Sequence, residues 1–90
     1  MGFTWDEAKR QRVLAIRGVD FVDLAAALFD GRTLLTIPGR WQGEVRFISV
    51  GMIGEKSFAI VWTSRDGQPR LITARRARNA EERQYRKLFS

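Results

Sequence analysis

Apolar positions along the chain recur first at helical and then at strand spacing. Thr4-Trp5-Asp6-Glu7 has the form of a capping box, with Thr4 at the N-cap, Glu7 three residues on, and Asp6 where the helix dipole favours negative charge. It predicts a first helix from Trp5 to about Arg17, stopped by Gly18. Trp5, Ala8, Val13 and Ile16 form its inward stripe, and Lys9, Arg10, Arg12 and Arg17 crowd the remaining surface. Asp20 caps a second helix in which Phe21, Leu24, Ala25 and Leu28 follow i, i+3, i+4, i+7; Phe29 extends that face and Asp30-Gly31 closes it. The short connection makes a helix-turn-helix-like corner. The second helix has no Arg, Lys, Asn or Gln to read base edges, so a DNA-reading role is rejected.

From Thr33 the period changes. Thr33 to Ile37 reads as a short strand ended by Pro38-Gly39, followed by a loop through Arg40, Trp41 and Gln42. Glu44 to Ile53 is a second strand, weakened or bulged near Gly51, and Gly54-Glu55-Lys56 turns into a hairpin. That hairpin is the strongest local signal: Ser57–Ser64, then Asp66-Gly67, then Arg70–Thr73, because Asp-Gly suits a type I′ turn with positive φ at both central residues. Asn79 with Glu82 predicts a second capping box, opening a final helix that carries Tyr85, Leu88 and Phe89 on one side and a Glu82–Arg86 pair. The expected class is α+β: an antiparallel four- to five-stranded sheet, a fifth strand falling at Met1–Phe3, packed by two N-terminal helices and one C-terminal helix in a single domain over residues 1–90.

Charge changes this picture most at the hairpin. The chain has 16 Lys and Arg against 10 Asp and Glu, a net charge of +6, and 13 of its cations are arginine, whose planar fork matches phosphate or carboxylate. Arg65, Arg70, Arg75 and Arg76 all lie on the hairpin. With a two-residue turn and strict alternation, Arg65 faces Gln68, Thr63 faces Arg70 and Phe58 faces Arg75. Arg65, Arg70 and Arg76 then share one face with Thr63, while Arg75 joins Leu71 and Thr73 on the other. The bland reading of strand-end arginines is that they blunt edges and stay solvated.

Absent residues narrow the chemistry. There is no histidine and no cysteine, which excludes a Ser-His-Asp triad, His general acid–base pairs, thiolate nucleophiles and Cys-based zinc sites. No phosphate-loop glycine motif occurs, and the carboxylates Asp6, Glu7, Asp20, Asp23 and Asp30 are accounted for by helix ends and solvated faces, so neither metal nor cofactor is expected. No apolar run approaches the roughly 20 residues of a spanning helix, and the N-terminus lacks the pattern of a signal peptide, which predicts a cytoplasmic protein away from membranes. RNA cleavage survives these exclusions because RNA carries its own nucleophile, the 2′-OH; the protein has chiefly to align it and neutralise a pentavalent phosphorane. Proton transfer then falls to Tyr, Glu, Lys or solvent. Trp41, in its polar loop, is the candidate for stacking on a base, whereas Trp5 and Trp62 belong to the core.

Several fragments, in order, resemble the BrnT toxins, small RelE-like ribonucleases of bacterial type II toxin–antitoxin systems. They are Trp5-Asp6-Glu7-Ala8-Lys9, Val19-Asp20-Phe21 leading to Phe29-Asp30, Gly43-Glu44-Val45-Arg46, Ile60 to Arg65, Ile72-Thr73-Ala74-Arg75-Arg76-Ala77, and Glu82-Arg83 with Tyr85. The resemblance implies a RelE-like fold, metal-independent RNA cleavage that inhibits translation, and a BrnA-type antitoxin in a hetero-oligomer, with operator DNA bound only through the antitoxin. Carried over by position, Lys9, Arg46, Arg65, Arg75, Arg76 and Tyr85 are the functional candidates: Lys9, Arg65, Arg75, Arg76 and Tyr85 as catalytic residues, and Arg46 as an RNA-binding residue, to which the residues' own reading adds Arg70 and Trp41. Val13 and Arg17 stand where the family often carries Asn and His, and Asp30-Gly31 where it often has Asp-Pro. A proton-transfer role for that histidine is therefore not available to this chain. The alternative expectation is a catalytically inactive basic module that binds nucleic acid or an acidic protein.

Overall fold

A computed structural model of the chain describes residues 2–30 and 34–89. Its elements are β1 (Thr4–Trp5), α1 (Glu7–Arg17), α2 (Phe21–Leu28), β2 (Leu35–Trp41), β3 (Glu44–Ile53), β4 (Lys56–Arg65), β5 (Gln68–Arg76) and α3 (Asn79–Phe89). The strands form one sheet in the order β1-β5-β4-β3-β2. β2 to β5 make the antiparallel meander that the pattern predicted, but β1 runs parallel to β5, pairing Thr4 with Arg70 and Trp5 with Leu71. The sheet is therefore mixed, which corrects the all-antiparallel expectation. Among the described residues no helix is long and apolar enough to cross a membrane.

Pairing and capping explain where element ends depart from expectation. Thr4 is a strand residue, and Asp6 caps α1 instead: its carboxylate accepts from the backbone N–H groups of Ala8 at 3.0 Å and Lys9 at 3.3 Å. The predicted strand at Met1–Phe3 is displaced to Thr4–Trp5, with Met1 outside the described residues. Gly18 takes the left-handed conformation expected of a C-cap, and Asp20 caps α2 as predicted. Phe29 is the C-cap of α2 rather than part of it; Gly31 and Thr33 lie outside the described residues. β2 does not stop at Pro38-Gly39 but runs on to Trp41, which an edge strand permits because proline's missing N–H costs no ladder bond there. The expected loop is a tight turn at Gln42-Gly43, with φ of 49° and 80°, like the Asp66-Gly67 turn at 54° and 77°.

Helices α1 and α2 cover one face of the sheet, where Val13, Phe21, Leu24, Ala25 and Leu28 bury against Ile60, Leu71 and Ala74. Trp62 joins this side, stacked on Phe47 at 4.7 Å with its indole N–H donating to Ser49 at 2.8 Å. Gly51 is not bulged; its pairing with Phe58 is regular. Leu28 and Leu34 crowd it, so that a Cβ there would fall 2.9 Å and 2.7 Å from their methyl carbons. The inward stripe expected of α1 holds only in part. Val13 is buried and Trp5 packs on the core, but Ala8 is exposed and Ile16 is 80% exposed. α1 begins at the sheet's edge beside β5, which turns that side of the helix outward.

α3 lies over the opposite face. Its start is fixed by Glu81, which accepts from the Arg78 backbone N–H at 2.8 Å, so the reciprocal partner is Glu81 and the cap lies one residue before Asn79. Glu82 instead accepts from the Ser57 hydroxyl at 3.0 Å and pairs with Arg86 at 3.3 Å. α3 sits at the end of the face holding Ser57 and Arg75, where Arg75 meets Glu81. The other end, toward the Asp66-Gly67 turn, is left open.

Candidate active site

A bulge decides how the hairpin distributes its arginines. Thr63 pairs with Arg70 and Trp62 with Leu71, but Val61 pairs with Thr73, so Ile72 is the extra residue on β5. Beyond it the register shifts by one: Ala59 faces Arg75 and Phe58 faces Arg76. Strict alternation is overturned. Arg75 shares the side of Thr63, Val61 and Ala59 with Arg70, while Arg76 falls with Leu71 and Ala74 on the side of Phe58 and Trp62. Sequence periodicity carries no signal for one inserted residue.

At the open end of the sheet, Lys9 of α1, Arg46 of β3, Arg65 of β4 and Arg70 of β5 line one cleft with Asp6, Glu44, Thr63, Leu71 and Ile72. The strands separate there: the β3–β4 ladder ends at Phe47 and Trp62, and the carbonyl of Val45 beyond it accepts the Thr63 hydroxyl at 2.8 Å. Asp6 and Lys9 reach the cleft because α1 starts directly after β1 at the edge of β5. Arg46 donates through Nε to Glu44 at 3.3 Å, and Arg65 Nη2 lies 3.8 Å from the other Glu44 oxygen. Four cations thus face two carboxylates, one of which is already committed to capping α1.

Lys9 is electrostatically distinct. Half-burial, followed by repulsion from Arg46, Arg12 and Arg17, holds its ammonium below the usual lysine range, with Asp6 pulling weakly the other way. Trp41 borders the cleft through Arg46, whose guanidinium sits 5.9 Å from the ring centre, and the indole is 56% exposed. Glu44 is the residue sequence reasoning left unassigned. Its place follows from the Gln42-Gly43 turn, which sets it opposite Trp41.

The remaining candidates lie elsewhere. Arg75 is bound bidentately by Glu81 at 2.7 Å and 2.9 Å; this lowers the Glu81 carboxyl and raises the guanidinium. Arg76 donates to the Ser57 carbonyl at 3.1 Å and lies 5.5 Å from the Phe58 ring centre. Tyr85 sits on α3 against Phe89, with ring centres 5.1 Å apart. None of these three lines the cleft.

The structure is a small α+β domain whose open cleft, lined by three arginines and a lysine, presents charge and paired donors of the kind that suit phosphate or carboxylate. The chain belongs to the BrnT family: the family model described as the ribonuclease toxin BrnT of type II toxin–antitoxin systems matches residues 5–81. Lys9, Arg46, Arg65, Arg70, Arg75 and Arg76 lie within the matched span, and Tyr85 lies beyond it. A direct comparison with curated proteins returns no match.

Proposed function

We propose that this toxin cleaves RNA in the cleft of Lys9, Arg46, Arg65 and Arg70, with the 2′-OH of the RNA as nucleophile and no metal. The observation that carries the reading is the convergence of these four side chains, from four different elements, on one cavity. The 2′-hydroxyl gives its proton to solvent water as its oxygen attacks phosphorus, the bond to the 5′-oxygen breaks and that oxygen takes up a proton, and the products are a 2′,3′-cyclic phosphate and a 5′-hydroxyl. Negative charge grows on the phosphorane, and preorganised arginines stabilise that growth more than the ground state. Lys9 holds its proton less tightly than an ordinary lysine, which suits it to neutralise the departing 5′-oxygen. Trp41 offers a stacking surface to a neighbouring base. A divalent cation is disfavoured because the cleft's carboxylates are outnumbered by cations. Arg76 and Tyr85 fit a more distant RNA or partner contact, and Arg75 reaches RNA only by leaving Glu81.

In this reading the fold is RelE-like, the cleavage lowers translation in the cytoplasm, and a BrnA-type antitoxin restrains the toxin in a hetero-oligomer, binding operator DNA on behalf of the pair. The test is incubation of the purified protein, with EDTA, with a defined RNA and its 2′-deoxy counterpart. Cyclic phosphate ends from the RNA and an intact deoxy strand are the expected result, with the Arg65→Ala/Arg70→Ala double variant at least about a hundredfold slower. Cleavage that needs a metal, or a double variant as fast as wild type, refutes the assignment. A salt-sensitive gel shift without cleavage makes the protein a silent binding module instead.

A further inference from the structure

One side of α1 sets an exposed apolar residue among cations. Lys9, Arg12, Val13, Ile16 and Arg17, at i, i+3, i+4, i+7 and i+8, line a second cavity, and among the described residues Ile16 is the most exposed of the large apolar side chains. Leu14 adds a further partly exposed apolar residue to the same helix. Ile16, exposed beside the buried Val13 and flanked by three cations, is poorly matched to water and well matched to a segment alternating apolar and acidic side chains. Arg17 is held in place by donating to the Thr73 hydroxyl at 3.1 Å and the Ala74 carbonyl at 3.0 Å, so one rim of the groove is preorganised. Lys9 lines both this groove and the cationic cleft.

We propose that this groove on α1 seats an acidic, amphipathic segment of the antitoxin, and that a carboxylate of that segment pairs with Lys9 and so disarms the neighbouring cleft. The proposal rests on the toxin reading above and adds to it the surface and the means of restraint. RNA is the less suitable occupant, because Ile16 and Val13 offer it neither a stacking plane nor a donor. Apolar contact with Ile16 supplies affinity, while charge steers the acidic segment into place.

The experiment pairs Ile16→Asp and Arg12→Glu variants with the antitoxin encoded beside the toxin gene, reading affinity by titration and cleavage of RNA by each free toxin. Both variants are expected to bind the antitoxin about tenfold to a hundredfold more weakly; Ile16→Asp should cleave RNA at the wild-type rate, whereas Arg12→Glu, which removes one of the charges acting on Lys9, is read for affinity alone. Hydrogen exchange at α1 should slow in the wild-type complex and not in the Ile16→Asp mixture. Unchanged affinity overturns the proposal. So does an Ile16→Asp variant that turns a wild-type dimer into a monomer without weakening antitoxin binding, because the groove then joins two copies of this chain. A wild-type protein that cleaves no RNA refutes the ribonuclease assignment, whereas the titration still reports whether the groove is the docking surface.

Discussion

Lys9 is a side chain whose charge the fold disfavours and the proposed cleavage uses. Its ammonium is held half-buried among Arg46, Arg12 and Arg17, so the folded protein binds that proton more weakly than the unfolded chain does. Between its lowered folded value and the ordinary lysine value of 10.5 the unfolded state carries more protons, and stability therefore rises with pH in that window. Below the window the whole cost is borne. Replacing Lys9 by Met keeps the length of the stem and removes the charge. Lys9→Met should thus melt at a higher temperature than wild type at neutral pH, with the gap narrowing as pH approaches 10.5. Its cleavage of RNA should fall about a hundredfold or more. Thermal scans at neutral and alkaline pH, beside single-turnover cleavage, check both halves; a less stable variant would show that Lys9 supports the fold. Lys9 was legible in the sequence as a cation on the first helix, but its strain was not, because that depends on Arg46 arriving from β3.

At the scale of elements, the Asp66-Gly67 turn and the caps at Gly18 and Asp20 were readable, the caps expected at Thr4 and Asn79 fell elsewhere, and long-range register was not readable. Asp66-Gly67 and Gly18 announce themselves because positive φ selects particular residues. The parallel pairing of β1 with β5 leaves no local mark, and neither does the bulge at Ile72 that moves Arg75 to the face of Arg70. The same bulge lets Arg75 meet α3. The Arg75–Glu81 pair has side-chain exposures of only 18% and 12%, so it is largely withdrawn from solvent, and it ties the helix to the sheet. Arg75→Ala leaves Glu81, among the described residues, with the Arg78 backbone N–H as a hydrogen-bond donor. A loss of about 1–3 kcal/mol is expected, measured by urea unfolding. Cleavage per folded molecule should drop far less than in Arg70→Ala, whose side chain lines the cleft. Full stability with lost cleavage would return Arg75 to the chemistry and require its release from Glu81.

Over the whole molecule, composition revealed an excess of arginine but not where it acts. A net charge of +6 spread evenly would bind any polyanion weakly and everywhere. The fold instead uses one carboxylate after another to commit cations elsewhere: Arg10 joins Glu7 and Asp20, Arg75 joins Glu81, and Arg86 joins Glu82. In the cleft, by contrast, Arg46 and Arg65 share the single carboxylate of Glu44, while Lys9 and Arg70 face the same space. With Asp6 and Glu44 as the cleft's carboxylates, positive charge is left in excess at that end of the sheet. The number of phosphates this cleft neutralises is measurable as counterion release, since for a single strand the slope of log affinity against log salt is about −0.7 for each phosphate neutralised. Engagement of all four cations gives a slope near −2.8 on that rule, read by anisotropy with a labelled, uncleavable 2′-deoxy oligonucleotide. Arg70→Ala should flatten the slope by about 0.7 and Arg86→Ala should leave it alone. A much steeper slope, indifferent to Arg70, would mean that RNA is held by the basic surface at large, and the cleft would lose its claim to the substrate.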